Sequence, residues 1–216
     1  MSLPTLRQWH KWIQMLEGRS IQHVPQGKGK VYSKTSLKRY YNDLTNKFLG
    51  TAGTQSLDEE GIPVHWLANG QCVYFRAGVA QYGLGAYDVW LLKSDRVAYD
   101  SFLCCANWLL KDQDKMGGWV VWPRVGMNKG CPYSAMTQGE GASLLYRASL
   151  ETGDVRFSGA ADQPIALMLK PVAEGGKAYY DQGKLTLEEN PQATPSAILN
   201  GWIFAVFGLY DGILVS

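Results

Sequence analysis

Three glycine- and alanine-rich segments of helical character recur along the chain at nearly equal spacing. They are AQYGLGAYDVWLLKSD at 80–95, TQGEGASLLYRASLETGD at 137–154, and a third that opens at PSAILNGWIFAVFGLYDG. Their starts lie about 57 to 63 residues apart, and a second helical pattern follows each of the first two, at 95–111 and at about 155–170. A helix-pair repeat of this length is typical of an α/α toroid or solenoid. The predicted fold class is mainly α: an incomplete α/α toroid of helix hairpins with short β-hairpin insertions.

The glycines inside these segments fit the same fold. Each glycine in a helix interior costs about 1 kcal/mol relative to alanine, so Gly139 and Gly141 need a reason to be there. Inner helices of a toroid crowd one another, and small residues let their backbones approach. Between the helices, proline, glycine and asparagine residues interrupt short apolar runs at 57–75, which predicts short β-strands in a loop-rich connection. The sequence GGKAYYDQGKLTLEEN at 175–190 predicts a β-hairpin. Asp95 or Ser94 is expected to cap the helix that follows it.

Composition excludes several classes of protein. With 216 residues, 46% hydrophobic and 19% charged, the chain falls in the soluble globular class. The four cysteines show no C-x-x-C spacing and there are three histidines, so no metal site is predicted, and the thiols are expected to be reduced. No apolar signal core opens the chain, and the most apolar stretch, 201–216, is interrupted by Asp211. A cytoplasmic protein without stable membrane insertion is expected.

Charge is unevenly distributed along the chain. The net charge is only +2, but residues 1–50 hold nine Lys and Arg residues against Glu17 and Asp43. This asymmetry indicates either an electropositive surface that attracts an anionic polymer or a solvated basic flank. Helical patterns at 5–17 and 35–48 then predict two domains: a basic helical N-terminal segment, 1–56, and a toroid domain, 57–216.

Four motifs together resemble one known family. PYSAMTQGEGASLLYRA at 132–148, AQYGLGAYD, WLLKDQDKMGGW and EENPQATPSAILNGWIFAVFGLYD resemble, in order and spacing, the C-terminal domain of the D-glucuronyl C5-epimerases. The resemblance runs from about residue 57 to 212. It implies an isomerase that converts glucuronate to iduronate in a heparosan-like polymer. The implied partner is an anionic uronic-acid polysaccharide rather than nucleic acid, and no cofactor is implied. The oligomeric state is not determined by the sequence, and a homodimer is one of the possibilities.

The chain departs from the family pattern at three places. Asn190 stands where the family typically has tyrosine in E-E-Y-P, and Pro132 replaces an aromatic residue before Tyr133. The family also continues beyond the G-L-Y-D helix, so the toroid domain is expected to lack its last helices. These departures keep open a glycan-binding remnant that no longer catalyses.

C5 epimerisation needs two proton-transfer groups that flank the sugar and a group that stabilises the uronate carboxylate. The resemblance nominates Tyr133 and Tyr210 as the proton-transfer pair. Glu188 and Glu189 precede a proline in a loop, where either one serves as a base or both belong to a solvated acidic loop, and Glu189 is the choice as a catalytic residue. The resemblance also implies that Tyr210→Phe abolishes C5 proton exchange without unfolding the protein. Phenols suit this role only where a nearby cation lowers their pKa.

The remaining candidates, predicted to bind substrate, are Gln138, Glu140, Arg147, Trp122 and Asn200. Structural alternatives remain open for them. Arg147 is expected to bind the uronate carboxylate or, with equal weight, to pair with Glu140, seven residues earlier. Gln138 would bind a sugar hydroxyl or cap the crowded ring. Asn200 would bind substrate or bridge the helix start to a loop, and Trp122 would stack on sugar or pack internally. Other α/α toroids are lyases or hydrolases, so a uronate lyase, which shares the C5 proton abstraction, also remains open.

Overall fold

The computed structural model describes residues 33–50, 56–67, 69–125, 131–191 and 195–216, together with Gly27, Lys28 and seven positions between 5 and 17. Most of this part is helical, so the predicted mainly α class is confirmed. Its helices with defined bounds are α1 (Thr45–Leu49), α2 (Arg76–Lys93), α3 (Arg96–Asp112), α4 (Ala135–Thr152), α5 (Val155–Leu169) and α6 (Leu199–Val215). Short 3₁₀ helices span Trp122–Val125 and Val172–Glu174.

The second helix of each hairpin begins at an aspartate. Asp95 Oδ1 accepts the N–H group of Val97 at 2.9 Å, and Asp154 Oδ1 accepts that of Arg156 at 2.9 Å. Such caps satisfy amide groups that have no partner within the first helical turn. The predicted cap at the start of α3 is therefore Asp95, while Ser94 ends α2 in the left-handed conformation.

The helices α2 and α4 lie side by side and run parallel. Near their amino ends Gln81 Nε2 donates to Glu140 Oε1 at 2.9 Å, and near their carboxyl ends the Tyr87 hydroxyl donates to Glu151 Oε1 at 2.9 Å. Both residue numbers rise together along the contact, which defines the parallel direction. Two residues separate α2 from α3, and two separate α4 from α5, so each of these outer helices folds back along its predecessor.

The helices α4 and α6 also run parallel. Gly139 faces Ala205 near the start of the contact, and Arg147 meets Asp211 toward its end. The chain thus has three parallel inner helices, α2, α4 and α6, with α3 and α5 as antiparallel outer helices. This is the arrangement of stacked helix pairs in a toroid or solenoid.

Glycines are required where the inner helices touch. A Cβ added at Gly208 would lie 2.5 Å from Gly139 Cα, and a Cβ at Gly139 would lie 2.6 Å from the Phe204 carbonyl oxygen. A Cβ at Gly141 would lie 2.4 Å from the ring of the buried Trp119. The prediction that the glycines of the second segment permit close helix packing is confirmed.

The described residues form three two-stranded antiparallel sheets in addition to the helices. These sheets pair β1 (Gly27–Lys28) with β2 (Asn42–Asp43), β3 (His65–Trp66) with β4 (Cys72–Val73), and β5 (Ala178–Asp181) with β6 (Lys184–Leu187). The last pair is the hairpin predicted at 175–190, with Ala178 opposite Leu187. Gln182 and Gly183 both have positive φ, 46° and 78°, as the tight turn between twisted strands requires.

The predicted helix at 35–48 is wrong except at its end, because only Thr45–Leu49 is helical there. Before it the chain is bent, since long-range bonds replace helical ones: the Tyr40 N–H group donates to Asp88 Oδ1 at 3.0 Å. Leu37, Tyr40 and Leu44 are buried in the same core as the helices.

In the 5–17 segment every described position between 6 and 16 is helical. The division of the chain at residue 56 stays a prediction.

Within the described part of the chain, no helix is long and apolar enough to cross a membrane.

The contact between α4 and α6 predicts opposite effects for two glycine substitutions. Gly139→Ala is expected to lower the free energy of unfolding by about 1–3 kcal/mol, because its Cβ would strike the backbone of α6. Gly159→Ala, in the exposed face of α5, is expected to raise it by about 1 kcal/mol, because a Cβ there meets nothing within 4 Å. Chemical denaturation measures both. A stabilised Gly139→Ala variant would contradict the packing described here.

Candidate active site

The residues predicted from sequence lie at two opposite ends of the inner helices. Tyr133 immediately precedes α4, whereas Arg147 is twelve residues into that helix, about 18 Å along its axis at 1.5 Å per residue. Because α6 runs parallel to α4, Tyr210 lies at the Arg147 end. We call the group Trp122, Tyr133, Gln138, Glu140, Glu189 and Asn200 the N-terminal cluster, and Arg147 with Tyr210 the C-terminal cluster.

The structure therefore does not bring Tyr133 and Tyr210 together. Two groups that exchange a proton across one pyranose ring must both lie within hydrogen-bond reach of it. A separation of most of the length of α4 exceeds that reach. The predicted two-tyrosine pair does not fit the geometry, and a site must be built at one end of the helices or the other.

Tyr133 is a buried phenol in the N-terminal cluster, only 7% exposed. Its hydroxyl donates to Asp114 Oδ2 at 2.7 Å, and Lys177 Nζ lies 5.5 Å from the centre of its ring. Burial, followed by the bond to Asp114, raises the pKa of Tyr133 well above its usual value of 10. The neutral phenol is thus the stable form, and the lowered pKa expected for a proton-transfer phenol is not found at Tyr133.

Glu188 and Glu189 are adjacent but have different surroundings. Glu188 is fully buried, and its carboxylate accepts the hydroxyl of Ser196 and, at 2.8 Å, the N–H group of Ala197. It therefore fixes the turn before α6. Glu189 is half-buried and rests against Gly201, where an added Cβ would lie 2.7 Å from Oε2. Burial raises the pKa of Glu189, which makes its carboxylate a stronger base than an exposed glutamate.

Glu140 lies fully buried in the interior between α2 and α4. Its Oε1 accepts a bond from Gln81, while Oε2 is buried without a hydrogen-bond partner among the described residues. Burial raises the pKa of Glu140 from 4.5 to about 8, against the lowering effects of Gln81 and Lys47. A protonated carboxyl group at this position avoids an uncompensated buried charge.

The other three members of the N-terminal cluster serve different roles. Gln138 is fully buried, and its side-chain amide accepts the N–H group of Trp119 at 2.9 Å and donates to the carbonyl of Trp119 at 3.0 Å. Both of its polar atoms are thus used inside the ring. Trp122 is half-buried and donates from Nε1 to the Tyr133 carbonyl at 3.1 Å. Asn200 is exposed in the first turn of α6.

Arg147 is buried and paired in the C-terminal cluster. Its Nη1 lies 2.5 Å from Asp211 Oδ2 and 2.9 Å from the Ser143 carbonyl, and its Nε donates to the Lys38 carbonyl at 3.0 Å. A structural pairing of Arg147 is therefore observed, but with Asp211 rather than with Glu140. The Tyr40 ring lies 5.3 Å from the guanidinium, which completes its burial.

A segment near the amino end, Lys34–Tyr41, lies across the C-terminal cluster. The Tyr210 hydroxyl donates to the Lys34 carbonyl at 3.0 Å, and the Tyr41 hydroxyl donates to Asp211 Oδ1 at 2.8 Å. The rings of Tyr41 and Phe207 stack with centres 4.6 Å apart. This end of the helices is thus filled by the protein's own chain.

Several residues of these clusters were missed in the sequence. Asp114 sits in the short turn DQDK, where charged residues are usually solvated, so nothing marked it as the partner of Tyr133. Lys177 is fully buried, although lysine is rarely buried. Asp211 did carry a signal, because a single acid in the apolar stretch 201–216 needs a buried partner.

Parallel inner helices with antiparallel outer helices define the class: a mainly helical, toroid-like fold with short hairpin insertions. Residues 113–213 match the sequence model of the D-glucuronyl C5-epimerase C-terminus, so the chain is similar to that family over this segment. The predicted resemblance is confirmed there.

The chain is also similar to a curated relative, the D-glucuronyl C5-epimerase of Caenorhabditis elegans. The two are 31% identical over 118 residues, which cover 51% of this chain and 19% of the relative. The chain therefore spans about a fifth of the length of that relative. The N-terminal cluster lies within the segment matched by the family, Trp122 through Asn200.

The raised pKa of Glu140 predicts a pH dependence of stability. In the unfolded chain this carboxyl group titrates near 4.5, and in the folded protein near 8, so the folded state holds the extra proton between these values. Its contribution to the free energy of unfolding is present below pH 4.5 and is lost as the pH rises toward 8. Glu140→Gln carries a neutral amide of the same shape. Its stability relative to the wild type is expected to increase through this window and to level off above it.

Urea denaturation at several pH values between 4 and 9 measures this difference. Glu59→Gln is the matched control, because Glu59 is exposed and its replacement should leave the pH profile unchanged. A difference between Glu140→Gln and the wild type that stays constant with pH would contradict the burial of an acid at this position.

Proposed function

We propose that the protein is a polysaccharide uronate C5-epimerase, which converts glucuronate to iduronate within a heparosan-like polymer. The observation that carries this proposal is the match of residues 113–213 to the C-terminus of the D-glucuronyl C5-epimerases. The residues to which we assign the chemistry, Tyr133 and Glu189, both lie in that segment. The activity of the much longer relative is the source of the substrate class.

The reaction removes the C5 proton, which is α to the uronate carboxylate, and returns a proton to the opposite face. Two groups of different basicity on opposite sides of the sugar suit this purpose. A developing enolate also requires hydrogen-bond donors near the carboxylate. The N-terminal cluster offers a carboxylate, a neutral phenol and the free amide groups of a helix start.

We assign the base to Glu189. Its carboxylate is half-buried, and its raised pKa increases its affinity for the C5 proton while still leaving it accessible. The neighbouring Glu188 is unsuited to the task, because it is fully buried and its oxygens are held by Ser196 and Ala197. Only the second acid of the EEN motif therefore remains for proton abstraction.

We assign the acid to Tyr133. Its phenol stays protonated because of burial and the bond to Asp114. A C5 carbanion is basic enough to take a proton even from a phenol whose pKa is raised, so Tyr133 is the proposed donor for the face that Glu189 does not attack. Lys177, above the ring, stabilises the phenolate that remains after transfer. This assignment uses a carboxylate and one phenol in place of the two phenols expected from the sequence.

The uronate carboxylate is assigned to the start of α6. No side chain among the described residues caps this helix, so its first amide groups are the proposed donors, and the exposed Asn200 adds a side-chain donor in the same turn. A helix N-terminus stabilises an anion through these groups and the helix dipole. Trp122, half-buried beside the Tyr133 carbonyl, is the candidate for stacking on a sugar ring.

The direct test is incubation of the protein with a heparosan-like polymer in D₂O. The proposal predicts deuterium at C5 together with new iduronate, detected by NMR and by disaccharide analysis. An unsaturated uronate with a C4–C5 double bond would instead identify a lyase. Retained polymer binding without any exchange would leave a glycan-binding protein and overturn the proposal.

Three variants test which side chains transfer the proton. Tyr133→Phe and Glu189→Gln are each expected to lower the exchange rate by at least about 100-fold, the usual contribution of a general acid or base. Tyr180→Phe is the matched control, because Tyr180 is an exposed tyrosine of β5 whose hydroxyl bonds only the Leu169 carbonyl at 2.7 Å. Its exchange rate should equal that of the wild type.

Tyr210→Phe separates the two ends of the helices. From the geometry we expect this variant to keep its exchange activity, because Tyr210 lies at the end covered by Lys34–Tyr41. Loss of exchange with an unchanged melting temperature would instead support the pair nominated from sequence, and would move the site to the C-terminal cluster.

A further inference from the structure

A buried lysine contacts a cysteine beside the N-terminal cluster. Lys177 is fully buried, and its Nζ donates to Cys131 Sγ. No carboxylate in the described part of the chain forms a salt bridge with it, so the thiol is its hydrogen-bond partner there. Lysine is among the residues least often found inside a protein without an acidic partner.

The backbone on both sides holds this contact in place. The Lys177 carbonyl accepts the N–H group of Glu188 at 2.9 Å, and a Cβ at Gly176 would lie 2.0 Å from the Lys170 carbonyl oxygen, so this strand cannot shift easily. On the other side the Pro132 carbonyl accepts the N–H group of Val121 at 2.8 Å. The amine and the thiol thus approach each other from two fixed elements.

The environment also suits covalent chemistry between the two groups. Burial lowers the pKa of Lys177, and the bond to Cys131 only partly offsets this, so the neutral, nucleophilic amine is favoured more than for a surface lysine. Cys131 itself is half-buried rather than enclosed in the core.

We propose that Cys131 and Lys177 form a reversible oxidative cross-link, a sulfenamide, when the protein meets hydrogen peroxide. In the first step the thiol sulfur takes one oxygen from peroxide, the other oxygen leaves as water, and the sulfur is oxidised by two electrons to a sulfenic acid. In the second step the Nζ lone pair attacks this sulfur. The S–O bond breaks, the hydroxyl group leaves with a proton from nitrogen as a second water, and an S–N bond remains.

The cross-link would act on the site next to it. It joins the residue two positions before Tyr133 to the start of β5, so it ties the loop that enters α4 to the hairpin. It also converts the amino group that lies 5.5 Å from the centre of the Tyr133 ring into a sulfenamide nitrogen, which carries no positive charge. A thiol reductant reverses it, since attack on the sulfur releases the amine. This inference does not depend on the proposed epimerase activity.

Mass spectrometry of the peroxide-treated full chain tests the proposal. We expect a species lighter than the reduced protein by two hydrogen atoms, a tryptic cross-link between the peptides that contain Cys131 and Lys177, and loss of both on treatment with dithiothreitol. Addition of one or two oxygens at Cys131 with no link to Lys177 would overturn the proposal. A link heavier by an additional oxygen would overturn the direct S–N bond.

Dimedone, which traps sulfenic acids, provides the second measurement. In the wild type, Cys131 is expected to escape labelling because Lys177 captures the intermediate. In Lys177→Met and Lys177→Arg, which remove the nucleophilic amine, we expect labelling of Cys131 to rise severalfold. Cys104 is the internal control, because its Sγ bonds the Glu60 carbonyl and has no lysine partner among the described contacts. Its labelling should be the same in all three proteins.

Two replacements of Lys177 are used so that the test can still be read if one variant fails to fold. Circular dichroism shows whether each variant is folded. Equal dimedone labelling of Cys131 in the wild type and in a folded Lys177 variant would show that the amine does not capture the sulfur, and would overturn the cross-link.

Discussion

The close contact between α4 and α6 at Gly139 and Gly208 is the constraint on which the rest of the structure depends. With Cβ distances there of 2.5–2.6 Å to the facing backbone, no larger residue fits without separating the helices. This contact and the Arg147–Asp211 pair hold α6 parallel to α4, which decides which residues share an end of these helices. It brings Glu189, beside the start of α6, to the same end as Tyr133, and it carries Tyr210 to the other.

The two ends differ in how accessible their polar groups are. At the carboxyl end, Arg147 and Asp211 pair in the interior, and residues 34–41 bond to Arg147, Asp211 and Tyr210. At the amino end, Glu189 is only half-buried and Asn200 is exposed. A substrate can reach groups that the protein's own chain does not cover. This difference is the physical basis for placing the chemistry at the amino end.

Much of the fold could be predicted from the sequence because its causes are local. Asp95 predicts the start of α3 because an aspartate caps a helix N-terminus, and the small residues of 137–154 predict close helix packing. The site was less predictable, because its geometry depends on which ends of distant helices meet. Arg147 and Glu140 share a helix face in sequence, yet Asp211, 64 residues away, provides the partner of Arg147. Likewise the pattern at 35–48 was helical, but bonds from Tyr40 to Asp88 and from Tyr41 to Asp211 hold that segment in another conformation.

Backbone NMR during titration with a heparosan oligosaccharide tests the placement of the site most directly, because it reports where the polymer binds regardless of turnover. If the site lies at the amino end, the amide signals of Tyr133, Glu189 and Asn200 shift with a common saturation curve, while those near Arg147 and Tyr210 stay unchanged. Shifts confined to Arg147, Tyr210 and Lys34–Tyr41 would contradict the account and return the site to the carboxyl end.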